Sequence, residues 1–600
     1  MPSTPSRTAS VLALALLLAA AACGPGEEEL AAETAGYLRA ALADVPQDGD
    51  DEVRSAMARF YAQRSYAPAW VERRGVSGAG EELLAALDAA GGHGLDPADY
   101  RTDALRAAID AFRDPPDDGA GRARRAAALD AGLTFAFLTL ASHVGNGRVG
   151  PEDAGISWHL TPRELDLAAT LQRAVDEGGV QGSLRALEPP HDGYRQLAEL
   201  HERYRGLVDA GGWEPIPDGP ALEEGDTGPR VAALRRRLAA TGDLDAAGEG
   251  EAGATYDEAL AAAVGRYQQR YGLEPDGVAG PEVLAALNVS AEERVRQMEA
   301  NLERWRWLPE ELGSRYVLVN VPRYELTVVE DGEPVKVMRI VVGDEYNATP
   351  VFSEEMAYLV FNPTWNVPSS IAREEILPQL ASNPGYLDQN DMQLVRGWSD
   401  DAEVLDPWMA GPDVAAGAGS DASDVRIRQL PGPSNPLGRV KFMFPNEFSI
   451  YLHDTNARHL FAQTDRNLSH GCIRVEDPVW LASYALGEDE GAIRRRMASP
   501  ETENVQLPRK IPVHILYWTV FVDEEDEANF RHDLYGVDER VLAALDRVGP
   551  AELDLEIPEE PVTAPTPEEG EAEGDEAPEG DEAPEGDVED PPPSKPKQEA

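Results

Sequence analysis

Apolar positions along the chain fall into three regimes. Up to about residue 210 they recur at helical spacing, as in "ELLAALDAAGGHGL", where Leu83, Leu84 and Leu87 share a face before a Gly-Gly stop. Between 216 and about 290 the same period returns in a shorter unit. Val231, Leu234 and Leu238 form one stripe and Leu260, Val264, Tyr267 and Tyr271 another, bracketed by Gly-Asp and Asp-Gly turns. From Arg315 the period drops to two. Val317, Val319 and Val321 recur at every second position, then Leu326 and Val328, and Asp331-Gly332 supplies a hairpin turn. "MAYLVFNPTWNVP", "GRVKFMFP", "FSIYLH" and "IPVHILYWTVFVD" continue as strands. A stretch rich in Pro, Gly and Asp, about 366–428, interrupts them and reads as an insertion lying over a site.

Six hundred residues exceed one hydrophobic core. The expected class is a multidomain α+β protein. The expected segments are a leader at 1–22, a linker at 23–49, a helical domain at 50–215, a helical module at 216–292, a mostly-β domain at 293–545 and a disordered acidic tail at 546–600. The tail repeats GDEAPE and holds 17 acidic and 2 basic residues from Glu556 onward. The net charge of −56 excludes nucleic acid and anionic membrane surfaces as partners, because both need a basic face.

The leader has Arg7, an apolar run from Val11 to Ala22, and then Cys23. Twelve apolar residues are too few to span a bilayer and read as an export signal. Ala20-Ala21-Ala22-Cys23 resembles a bacterial lipobox, which implies lipidation of Cys23. Ordinary cleavage at the same place without lipid is the alternative. Gly24 after the cysteine, by resemblance to lipoproteins, implies an outer-membrane anchor facing the periplasm. With Cys23 so used, Cys472 has no partner in an oxidising compartment and becomes a candidate nucleophile.

Its neighbourhood supports chemistry. "IYLHDTNARHLFAQTDRNLSHGCIRV" (450–475) holds three of the chain's ten histidines. Ser449, Tyr451 and His453 alternate with Phe448, Ile450 and Leu452, so one strand face packs and His453 shares the other with Tyr451. Eighteen residues separate His453 from Cys472, enough for the chain to loop back. An imidazole that takes the thiol proton activates the sulfur, and Gly471 lets successive N–H groups converge on an oxyanion. His459 reads as a solvent-facing loop residue. His93, His143, His159, His191 and His201 are scattered without metal spacing and read as structural.

His453 followed by Ser469-His470-Gly471-Cys472 resembles the signature of L,D-transpeptidases with a YkuD-type catalytic domain. "FNPTW" (361–365), "NPLGRVKFMFPN" and "FRHDLYGVD" extend that resemblance. "FYAQRSYAPAWVERRG" (60–75), "HGLDPADY" (93–100) and "GNGRVGPED" (145–153) are similar to the scaffold domain of the large periplasmic subgroup. The unit at 216–292 resembles a three-helix peptidoglycan-binding module, the alternative being a spacer bundle that does not bind glycan. The resemblance implies a Cys472 nucleophile and His453 as base, its ring held by a backbone carbonyl, that of Asp454. It also implies an oxyanion hole from the N–H groups of Gly471 and Cys472, and 3→3 cross-linking of peptidoglycan stems with release of D-alanine. His470 and Ser469 orient the loop. Arg474 stands where the family often has Asn, and either holds a stem carboxylate or braces the loop. No cofactor or metal is implied. L,D-carboxypeptidase activity and a non-catalytic wall-binding lipoprotein are the alternative functions.

Overall fold

The computed structural model describes residues 25–49, 51–113, 119–160, 163–244, 254–399, 401–407, 416–420, 423–523 and 525–562. The apolar run expected to direct export, Cys23 and positions 563–600 of the expected acidic tail lie outside the described residues.

Helical periodicity in the first third produces α1 (Pro25–Ala41), α2 (Glu52–Gln63), α3 (Gly78–Asp88), α4 (Thr102–Arg113), α5 (Gly119–Asn146), α6 (Leu167–Asp176), α7 (Val180–Arg185) and α8 (Asp192–Asp209). Central α5 is apolar enough to cross a membrane, yet its Leu133, Phe137, Leu140 and Val144 are fully buried inside the domain. The buried Asp130 carboxylate on α5 accepts from the Tyr61 hydroxyl at 2.6 Å and from the N–H groups of Ala69, Trp70 and Val71. That four-donor clasp compensates the cost of its burial and pins the "SYAPAWV" segment.

Two expectations change here. Residues 25–41 are no linker: α1 packs on α5 and buries Tyr37 and Leu38 in the same core. Nor does the acidic tail begin at 546. Residues 546–547 end a helix (Val537–Arg547), and Leu553, Leu555 and Ile557 beyond it pack against the N-terminal helical core. Arg124 donates to the Ile557 carbonyl at 2.9 Å, and Arg101 pairs with Glu552. The "LDLEI" alternation hides among acids, and its apolar side finds a groove at the far end of the chain.

The module comprises α9 (Pro229–Ala240), α10 (Glu258–Arg270) and α11 (Pro281–Asn288). Proline opens α9 and α11, where a missing N–H costs nothing, and Asp257 caps α10 by accepting from Leu260 N. Val231, Leu234, Leu238, Leu260, Val264 and Tyr267 are buried, the two stripes meeting face to face.

Helix α12 (Ala291–Arg306), started by a Ser290/Glu293 capping box, joins the parts. Glu303 accepts from Val149 N at 2.7 Å, and the Trp307 indole donates to the Val149 carbonyl at 2.9 Å, which fixes the "GNGRVG" turn of the helical domain. On the other side Asn301 exchanges hydrogen bonds with Thr519 at 2.8 and 3.0 Å. Buried Arg304 pairs with Asp538 at 2.6 Å, and Trp305 stacks on Trp518 at 4.0 Å.

The β-domain closes on itself. Its strands are β1 (Arg315–Asn320), β2 (Glu325–Glu330), β3 (Glu333–Gly343), β4 (Val351–Phe361), β5 (Val440–Met443), β6 (Leu452–His453), β7 (Asn467–Ser469), β8 (Ile473–Val475) and β9 (Glu503–Leu516). The hydrogen-bonded order runs β5-β6-β8-β3-β2-β1-β9-β4, and β4 pairs again with β5, so the sheet forms a ring. Strand β7 runs parallel to the end of β3. The insertion builds its own sheet from Met392–Arg396, Glu403–Leu405 and Val425–Gln429, with Trp365–Asn366 as the edge. Short helices complete a small separate core around Ile371, Ile376, Leu394 and Ile427.

Candidate active site

Two short parallel strands bring the predicted residues together. In β6 and β8, Leu452 pairs with Ile473 and His453 with Arg474. Leu452 and Ile473 are fully buried on the core side. Side chains alternate across a strand, so His453 and Arg474 face the other way, joined by Tyr451 and Cys472 one step back along each chain. On the opposite flank Lys441 of β5 pairs with His453 and joins the same face. Its neighbours Val440 and Phe442 are core. The candidate nucleophile and base thus lie on one face of adjacent strands.

The imidazole is oriented by the backbone. Buried His453 donates its Nδ1–H to the Asp454 carbonyl at 2.5 Å; a carbonyl only accepts, so Nε2 is left as the basic nitrogen. The Asp454 side chain fixes that carbonyl in turn, its carboxylate accepting from Arg439 N at 2.8 Å and from Arg458 at 2.6 Å. Gly438, at φ +62°, lies so close that a Cβ there would meet the Asp454 carboxyl at 2.4 Å. The "NPLGR" segment is thereby explained. Buried Asn435 donates to the carbonyls of Pro363 and Leu430, joining "FNPTW" to the turn that carries Gly438.

Burial, with the Arg474 and Lys441 cations nearby, lowers the His453 pKa to about 3. The ring is neutral at physiological pH. Burial pushes the half-buried Cys472 thiol up, while the Tyr451 N–H and hydroxyl, Lys441 and Arg474 pull it back. The resting pair is therefore thiol and neutral imidazole, not thiolate and imidazolium. Tyr451 is crowded by Lys441, whose ammonium lies 3.8 Å from its ring centre, and its ring meets that of His453 edge-on at 5.7 Å.

The loop before Cys472 is held from several sides. Gly471 adopts φ +103°, which only glycine takes cheaply. Thr349 Oγ1 donates to the Gly471 carbonyl at 2.8 Å, and the Tyr535 hydroxyl of "FRHDLYGVD" donates to the Gly343 carbonyl at 2.7 Å. Ser469 Oγ donates to the Cys472 carbonyl at 2.6 Å and accepts from Gly471 N at 3.2 Å. This last bond corrects an expectation: the Gly471 N–H is spent on Ser469 and is not free for an oxyanion. His470 points outward to Glu375 of the insertion, Nε2 to Oε1 3.0 Å. Ser449 departs from the expected alternation, turning the chain at φ +57° so that its carbonyl faces the Cys472 sulfur at 3.9 Å.

Lys441, Thr349 and Tyr535 were not picked out by sequence reasoning. Lys441 had a signal, a lone charge inside the apolar run "VKFMF"; Thr349 had none. The scattered histidines find structural partners: His143 meets the Tyr100 hydroxyl at 3.1 Å and His191 the Pro309 carbonyl at 3.0 Å.

Three stretches of the chain match known protein families. Residues 55–200 match a family described as a scaffold domain, and residues 227–287 one described as "Putative peptidoglycan binding domain". Residues 314–513 match the YkuD family, described as the L,D-transpeptidase catalytic domain. A Haemophilus influenzae protein named "Putative L,D-transpeptidase" is 31% identical over 252 residues, 42% of this chain and 49% of that protein. The chain thus spans about half the length of that relative. Among solved structures, an L,D-transpeptidase from Stackebrandtia nassauensis is 14% identical, with 50% of this chain and 97% of that one covered and a TM-score of 0.19. One from Xylanimonas cellulosilytica (residues 123–326) is 16% identical, with 50% and 100% covered and a TM-score of 0.17. Residues 314–513 are thus an L,D-transpeptidase catalytic domain of the YkuD family by these matches, and residues 227–287 match a putative peptidoglycan-binding domain.

Proposed function

We propose that the protein is an L,D-transpeptidase that joins peptidoglycan stems 3→3 through a thioester on Cys472. The observation that carries this reading is the shared strand face of His453 and Cys472, with His453 Nδ1 tied to the Asp454 carbonyl. Nε2 takes the thiol proton as sulfur attacks the carbonyl of the diamino acid at position three of a tetrapeptide stem. The tetrahedral intermediate then collapses, and the imidazolium returns the proton to the departing D-alanine amine. A side-chain amine of a second stem attacks the thioester, gives its proton to His453 and frees the sulfur. A neutral base at rest suits this cycle, since each half begins with proton removal.

With Gly471 N–H committed to Ser469, the Cys472 N–H is the donor assigned to the oxyanion, joined by the Tyr451 hydroxyl once acylation releases it from the resting sulfur. Ser469 and His470 act as loop-orienting residues. Arg474 lies beside the sulfur without a carboxylate partner among the described residues and is assigned to a stem carboxylate. Export, lipidation at Cys23 and a periplasmic, outer-membrane location belong to the same proposal, resting on the leader alone. Labelling with a fatty-acid analogue, lost in Cys23→Ala, tests them.

The decisive experiment incubates the purified protein with disaccharide tetrapeptide and follows products by mass spectrometry. Release of D-alanine, an acyl adduct on Cys472 and a dimer support transfer. Free tripeptide without dimer means hydrolysis, and no adduct on Cys472 overturns the mechanism.

A further inference from the structure

A cleft of about 1,100 Å³ separates the peptidoglycan-binding module from the flank of the barrel, away from the face that carries Cys472. Gly272–Pro275 and the start of α12 form one wall; Tyr324, Thr464–Arg466 and Arg531 form the other. The Thr464 hydroxyl donates to Glu274 across the gap at 2.5 Å, so the walls are in register.

The barrel wall gathers four arginines, Arg323, Arg339, Arg466 and Arg531, among the acids Glu325, Asp465 and Asp533, in a chain of net charge −56. Arg323, Arg466 and Arg531 lie together, and Glu325 is paired with Arg323 at 2.8 Å. Arg466 and Arg531 have no carboxylate within 4 Å among the described residues; their bonds go to backbone carbonyls, Arg466 to Gln463 at 2.7 Å, Ile340 at 3.2 Å, Tyr324 at 3.3 Å and Thr464 at 3.4 Å, and Arg531 to Arg270 and Phe530. Burial and the Arg323 and Arg466 guanidiniums lower the Arg531 pKa to about 10, against the opposing pull of Glu325 and Asp523. Several lining acids are already engaged: Glu293 caps Ser290 N at 2.8 Å and Asp538 pairs with Arg304 at 2.6 Å. Glu282 and Asp465 are exposed at the rim.

We propose that this cleft is a second peptidoglycan site, in which Arg323, Arg466 and Arg531 hold the carboxylates of a stem peptide. Guanidinium forks suit carboxylates, and a stem tripeptide presents several within a few bonds. The volume accommodates such a peptide. The site touches the catalytic loop. The Arg466 carbonyl accepts from Val342 N at 2.9 Å, and β7, which begins at the next residue, leads through Ser469 to Cys472. An occupied cleft therefore braces the chain that presents the nucleophile. The inference rests on peptidoglycan being the substrate but not on the chemistry at Cys472.

The test measures binding of a synthetic stem tripeptide by calorimetry to the full chain carrying Cys472→Ala, alone and combined with Arg531→Gln or Arg323→Gln. Each added substitution should weaken binding about tenfold. Full amidation of the peptide carboxylates should abolish cleft binding without any change to the protein. In the otherwise native chain, Arg531→Gln should leave the rate at which a carbapenem acylates Cys472 unchanged. Equal affinity in the presence and absence of the arginine substitutions, or equal binding of the amidated peptide, overturns the cleft. Failure of the native chain to be acylated counts against the transpeptidase reading and leaves the binding measurement intact.

Discussion

His453 turns its Nδ1–H to the carbonyl of Asp454, the residue that follows it, at 2.5 Å. A neutral carbonyl replaces the carboxylate that often orients a catalytic imidazole, so the ring is steered without gaining a counter-charge. Its basicity stays low and its tautomer stays fixed.

Exchange at Asp454 should therefore act through position. Asp454→Ala removes the acceptor for Arg439 N and Arg458 and frees the carbonyl that holds the ring. A stability loss of about 1–3 kcal/mol and a fall in kcat of about tenfold or more are expected, with Asp454→Asn recovering part of both. Denaturant titration together with carbapenem acylation rates checks this.

Cys472→Ala should abolish acylation, reducing turnover more than about 10³-fold, while leaving the melting temperature within a few degrees of the parent. His453→Gln should lose comparable activity yet keep a titratable thiol. Intact-mass measurement after carbapenem exposure reads both.

Gly471 and Gly343 form a close backbone crossing. A Cβ on Gly343 would lie 2.0 Å from the Asn347 carbonyl oxygen, and one on Gly471 would sit at φ +103°. Gly471→Ala should cost about 1–3 kcal/mol and slow acylation; Gly343→Ala should cost more. Thermal melts rank the two.

Acid should weaken the fold through buried neutral histidines. The rings of His453 and His143 have pKa values lowered to about 3, from an ordinary 6.5. The unfolded chain binds protons that the folded one refuses, so this stabilisation is whole above about pH 6.5 and lost as pH falls toward 3. Each ring contributes a slope of up to about 1.4 kcal/mol per pH unit in that window. His143→Gln should flatten the pH dependence of the unfolding free energy by about one proton; an unchanged slope would contradict the burial argument.

The contact of His470 with Glu375, 3.0 Å between the nucleophile loop and the insertion, should hold the insertion down. Glu375→Gln and His470→Ala should each raise hydrogen exchange across 369–382 and shift KM more than kcat. Both groups are substantially exposed, so the energetic effect is modest and smaller in high salt.

Much of this was legible in the chain itself. Period-two alternation through Val317, Val319 and Val321 fixes the first barrel strand, and His453 and the Ser469–Cys472 tetrapeptide, picked out as a candidate site, do lie on adjacent paired strands. What was hidden depends on contacts made far along the chain. No local pattern says that Ser469 Oγ captures the Gly471 N–H, because that bond follows from the left-handed turn at Gly471. The N-terminal helix and the "LDLEI" strap were masked by acidic composition, which reads as solvated until their apolar sides meet a groove. Ring closure through β4 and β5 is equally invisible, since its partners lie some eighty residues apart with the insertion between them.

Helix α12 gives one side to the "GNGRVG" turn of the helical domain and the other to Thr519, Asp538 and Trp518. A strut shared in this way cannot pivot without breaking buried pairs at both ends. On the proposed function the protein is then a gauge of set length: wherever its module grips the wall, the stretch of sacculus offered to the sulfur is chosen by geometry and not by a swinging arm.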